Sequence, residues 1–106
     1  MIEITIFTKE DEYIGVESQG HARYAEAGTD IVCSATSVLL INTINAIEAF
    51  SDDEFDCNQE DGYLDYHLTG TISEGSALLM KTLVLGITDI QKSYGDEYIK
   101  TIIKEV

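Results

Sequence analysis

Polar and apolar residues alternate from the start of the chain: Ile2, Ile4 and Ile6 are separated by Glu3 and Thr5, the two-residue period of a strand with one buried face. After the polar turn Lys9-Glu10-Asp11-Glu12 the alternation returns through Ile14, Val16 and Ser18, which predicts an antiparallel hairpin. Residues 20–30, Gly-His-Ala-Arg-Tyr-Ala-Glu-Ala-Gly-Thr-Asp, hold neither a helical nor a strand period and read as a mobile loop. Over 31–50 the apolar positions Val32, Ala35, Val38, Leu39, Ile41, Ala46 and Ala49 recur at three and four, with Ser34, Ser37, Asn45 and Glu48 as a narrow polar stripe. A helix apolar around so much of its girth should be central. Asp30 stands where an N-cap carboxylate accepts a bond from a first-turn amide.

Residues 55–58 and 63–68 flank Gln59-Glu60-Asp61-Gly62, whose Asp-Gly pair supplies the turn of a second hairpin. Ser73 can cap a second helix carrying Ala77, Leu78, Met80, Leu83, Val84, Ile87 and Ile90, which Gly95 would end. Residues 98–106 resume alternation through Ile99, Thr101 and Ile103. The order ββαββαβ predicts an α+β fold, a single domain over 1–106 with two helices packed on one mixed or antiparallel sheet.

Composition narrows the classes. At 106 residues one core serves the whole chain, and although 44% of residues are hydrophobic, no window holds about 18 consecutive apolar residues, so a membrane-spanning segment is not expected. The N-terminus begins alternating at once, without a basic region and an apolar stretch behind it, so the cytoplasm is the expected compartment. Twenty acidic residues against six basic ones give a formal charge of -14, which repels phosphate backbones and anionic lipid. Direct contact with nucleic acid or membrane is therefore not expected, whereas a basic partner is attracted at long range; the same charge also serves plain solubility. Cys33 and Cys57 are the only cysteines, and a reducing compartment argues against joining them. Two thiols and two histidines are too few and too scattered for a zinc site, and no cofactor or metal is expected.

With Asp30 as cap, Cys33 is the third residue of a helix, where amides lack partners and the macrodipole is positive. Such a position favours thiolate, the form that attacks a carbonyl, and His21 on the preceding loop is the nearest imidazole in sequence to serve as its base. First-turn amides, that of Cys33 included, can also receive the oxyanion of a tetrahedral intermediate. Ser37, four residues on, shares the helical face of Cys33 and can bond the histidine, the substrate or a carbonyl. Asp30 can orient the imidazole, cap the helix, or do both. By periodicity alone the plainer reading is the stronger: a cysteine early in a helix is usually a small buried side chain, and a histidine after glycine is more often an exposed turn residue.

The run Gly20-His21-Ala22, followed nine residues after His21 by Asp30 and then by Cys33-Ser34-Ala35 with Ser37, resembles the signature of the ribosomal-processing cysteine proteases called Prp, also known as the YsxB-like family. The likeness spans nearly the whole chain, in the same order of two strands, loop, helix, hairpin, helix and strand. It implies His21 and Cys33 as the catalytic pair, Gly20, Asp30 and Ser37 as supporting positions, and a homodimer. It further implies removal of a short N-terminal extension from the L-twenty-seven protein of the large ribosomal subunit, after an aromatic residue.

Other residues fit quieter roles. Cys57, near Asp52, Asp53, Glu54 and Asp56, should have a raised pKa and be structural. His67 reads as a partly exposed cross-strand residue, the acidic stretch 52–61 as a solvated edge without calcium-loop spacing, and Arg23 and Tyr24 as loop residues able to touch substrate. The surplus of apolar positions on both helices points to a dimer interface. Two functions of other classes compete with a protease: a noncatalytic acidic module that binds a basic ribosomal protein, and a redox sensor built on a low-pKa thiol.

Overall fold

The computed structural model describes residues 1–20 and 27–106, with the backbone alone for 27–30. The elements are β1 (Ile2–Lys9), β2 (Glu12–Gln19), α1 (Ala27–Phe50), β3 (Phe55–Glu60), β4 (Tyr63–Leu68), α2 (Glu74–Tyr94) and β5 (Ile99–Glu105), the order the alternation predicts. They form one sheet in the order β3-β4-β2-β1-β5, antiparallel throughout except for the parallel pair β1–β5. The sheet is thus mixed. β2 and β3 run the same way on either side of β4, as do β4 and β5 on either side of β2 and β1, so each helix is the crossover of a split βαβ unit.

The alternation of β1 becomes burial of Ile2, Ile4 and Ile6, joined on the same side of the sheet by Val16, Leu64, Tyr66, Leu68 and Ile99. Both helices cover that side. α1 contributes Val32, Leu40, Ile44 and Ile47 to the core, and α2 contributes Met80, Leu83, Val84, Ile87 and Ile90. Ser73 caps α2, its hydroxyl accepting from the Ser76 amide, and Gly95 ends it at φ 103°, both as expected. The last strand departs from expectation: Ile99 is fully buried but Ile103 is 59% exposed, because β5 is the sheet's edge and its far end runs out from under the helices.

α1 departs further. It begins at Ala27, so residues 27–30 are helical instead of loop, and Asp30 is the fourth residue of the helix rather than its cap. The helix is not central either: Val38 and Ile41, assigned inward by periodicity, are 65% and 38% exposed. The inward stripe runs instead through Val32, Thr36, Leu40, Thr43, Ile44 and Ile47, and an apolar count passes over its two threonines. Residues Ile31–Phe50 also have the length and the mean hydropathy, 1.5, of a membrane-crossing helix, which counting consecutive apolar residues does not reveal.

Candidate active site

Three neighbouring strands build the floor of a cleft. Ser18 on β2 pairs with Leu64 on β4, and Leu64 pairs with Gln59 on β3, so the three side chains form one row on the helix-covered side of the sheet. α1 is the wall, presenting Cys33 and Ser37 one turn apart and then Leu40 and Ile41. Gly20 and residues 60–63 of the β3–β4 turn complete the lining of about 270 Å³. Cys33 is half-buried and touches the hydrophobic core, so its sulfur is shielded without being sealed away.

Gly20, next after the end of β2, lines this cleft. Its amide donates to the Gly62 carbonyl at 3.0 Å, tying the end of β2 to the β3–β4 turn. With φ at +100°, and with the Met1 carbonyl oxygen 2.3 Å from where a Cβ would stand, no other residue fits here without strain. His21 follows directly in sequence, but His21, Arg23 and Tyr24 lie outside the described residues. Asp30 is three positions before Cys33 on α1, with its backbone alone described. Ser37 is exposed and lines the cleft with Cys33, as the four-residue spacing predicts.

One expectation is overturned here. Because α1 starts at Ala27, Cys33 is its seventh residue, beyond the four amides that lack helical partners and beyond the turn where the macrodipole acts. The amide of Cys33 is therefore committed to the helix and does not serve as an oxyanion donor.

The quieter residues are placed with more detail than the sequence allowed. Asp65 and His67 alternate with the buried Leu64, Tyr66 and Leu68, so they occupy the side of the sheet away from α1. There the His67 Nε2 contacts the Asp65 carboxylate at 2.5 Å and its ring lies 4.9 Å from that of Phe7. Cys57 is exposed, and partial burial of the sulfur pushes its thiol up, with the charges of Asp65 and Glu48 acting the same way. The direction is as expected, but the acids responsible sit across the sheet and on α1, not beside it in sequence.

Residues 1–100 match the family described as cysteine protease Prp. This chain belongs to the Prp family of cysteine proteases. A ribosomal processing cysteine protease Prp of Staphylococcus aureus is 28% identical over 97 residues, covering 90% of this chain and 91% of the relative. The fold agrees with a crystal structure of the essential ribosomal processing protease Prp from S. aureus in complex with a substrate peptide, at a TM-score of 0.89 and 27% identity over 98% of this chain and 100% of that one. The same protease with a covalently linked product peptide gives a TM-score of 0.87 at 28% identity, again over 98% and 100% of the two chains. This chain is accordingly a cysteine protease with the Prp fold, which sets aside the noncatalytic module as its class.

Sequence reasoning missed the floor of the Prp cleft, Ser18, Leu64 and Gln59. A signal was present in Ser18, a hydroxyl at an inward position of the alternation that Ile14 and Val16 begin. Its meaning depended on which strands lie beside it, and local periodicity does not carry that information.

Proposed function

We propose that this protease removes the N-terminal extension of the L-twenty-seven protein of the large ribosomal subunit, with Cys33 as nucleophile and His21 as general base. The observation that carries the reading is the half-buried Cys33 on the wall of a cleft whose lining includes Gly20, the residue directly before His21. His67, the other of the chain's two histidines, faces away from the cleft, which leaves His21 as the imidazole able to serve. The ribosomal processing role of the similar S. aureus protease supports the choice of substrate.

In this scheme the imidazole of His21 takes the Cys33 proton and the thiolate adds to the scissile carbonyl. The resulting oxyanion collapses, the C–N bond breaks, and the imidazolium returns its proton to the leaving amine. Water, deprotonated by the same imidazole, then cleaves the thioester and releases the carboxylate product. Since the Cys33 amide is engaged in α1, hydroxyl donors such as that of Ser37 take over stabilisation of the oxyanion. Asp30, three residues before Cys33, supports His21. The exposed apolar row Ile31, Val38 and Ile41 supports a homodimer paired through α1, and two free cysteines fit a cytoplasmic setting.

The test is cleavage of a synthetic peptide spanning the extension. Cys33→Ala and His21→Ala should each lower kcat/KM by at least ~10³-fold while circular dichroism stays that of the parent. A Cys33→Ala chain that still cuts the peptide overturns the assignment.

A further inference from the structure

We propose that Gln59, across Leu64 from Ser18, holds the main chain of the substrate peptide along the floor of the cleft; the proposal rests on the protease reading above. The argument starts from two neighbouring rows on the helix-covered side of the sheet. One row, Ile6–Val16–Tyr66–Cys57, has its first three residues fully buried. The next, Ile4–Ser18–Leu64–Gln59, begins with buried Ile4 and then carries a half-buried hydroxyl, a buried leucine and an exposed carboxamide.

Neither Ser18 nor Gln59 has a side-chain hydrogen bond among the described residues, although both line the cleft that holds Cys33. A carboxamide both donates and accepts, so it can pair with the N–H and the C=O of one residue in an extended peptide. Leu64, Leu40 and Ile41 supply apolar contact for side chains on either side of that main chain. Ser18 and Gln59 lie two strand spacings apart, roughly 10 Å, or about three residues of extended chain. Gln59 thus reads the substrate main chain, takes no part in bond breaking, and acts as a positioning residue.

The experiment measures binding and turnover separately, using a synthetic peptide spanning the proposed extension. On a Cys33→Ala background, Gln59→Leu should raise the peptide Kd about tenfold with an unchanged melting temperature, as loss of one well-placed hydrogen-bonded contact requires. In the catalytically intact chain the same substitution should raise KM by that factor while kcat stays within about twofold. A series of peptides, each N-methylated at one backbone amide, should contain one member that binds Cys33→Ala about tenfold more weakly and shows no added loss with Gln59→Leu. Equal Kd with and without Gln59→Leu, or a methyl penalty that persists in the variant at every position, overturns the assignment of Gln59 and leaves the protease reading standing. Gln59-dependent binding without any turnover by the unsubstituted chain overturns the protease reading instead.

Discussion

The ring of Tyr66 lies buried beneath the helices with its centroid 5.2 Å from that of Phe55, yet its hydroxyl has no hydrogen-bond partner among the described residues. Burial pushes the phenol up to about 12, with the charges near it, Cys57 first and then Glu48 and Asp53, acting in the same direction. A buried hydroxyl without a partner costs about 1–3 kcal/mol, whereas its removal leaves the packed ring in place. Tyr66→Phe is therefore expected to leave the urea midpoint unchanged or to raise stability by up to about 1 kcal/mol. A loss beyond about 1 kcal/mol would mean that the hydroxyl is bonded after all. Cys33 and Cys57 show the same dependence on surroundings: one thiol stands in the cleft, while the other is held protonated by partial burial and two carboxylates.

At the scale of elements, the start of α2 depends on a residue outside it. Asp53 accepts from both the amide and the hydroxyl of its cap Ser73, at 2.9 and 2.8 Å, so the chain leaving α1 holds the chain entering α2. The hydroxyl of Ser76 and then the Ser73 amide hold the Asp53 carboxyl below its ordinary value of 3.8. Because the folded pKa is the lower one, this contribution is complete above about pH 4 and fades as pH falls through the folded value. Asp53→Ala should lower the melting temperature by about 4–8 °C at pH 7, corresponding to roughly 1 kcal/mol for a lost cap contact. The gap between variant and parent should narrow toward pH 2, and a gap independent of pH would assign the loss to packing.

At the scale of the molecule, charge is unevenly placed. Four of the six basic residues, Lys81, Lys92, Lys100 and Lys104, lie on α2 and β5, whereas the described lining of the cleft includes Glu60 and Asp61 and no basic residue. With a formal charge of -14, the enzyme should draw a basic peptide toward that cleft through a field that salt screens. Raising ionic strength from about 0.02 to 0.5 M is expected to reduce kcat/KM several-fold for a lysine-bearing peptide, mainly through the encounter rate. A peptide of the same length with its lysines replaced by norleucine should change little. Equal salt dependence for the two would exclude steering.

The sequence by itself determined every strand and helix in order, the caps of α2, and the cysteine that lines the cleft, because each rests on local chemistry: a two- or near-four-residue period, a hydroxyl at an N-cap, a glycine at a terminus. It did not determine the start of α1, where residues 27–30 carry no apolar period and are helical nonetheless. Nor did it determine which side of α1 faces inward, since Val38 and Ile41 are as apolar as Val32 and Leu40, and only contact with the sheet separates them. Tertiary structure alone put Ser18, Leu64 and Gln59 in one row beneath Cys33, and tied Gly20 to Gly62. Ser18 comes from one hairpin and Leu64 and Gln59 from another far along the chain; strand order brings them side by side, which local patterns cannot encode because every residue in them senses only its own segment.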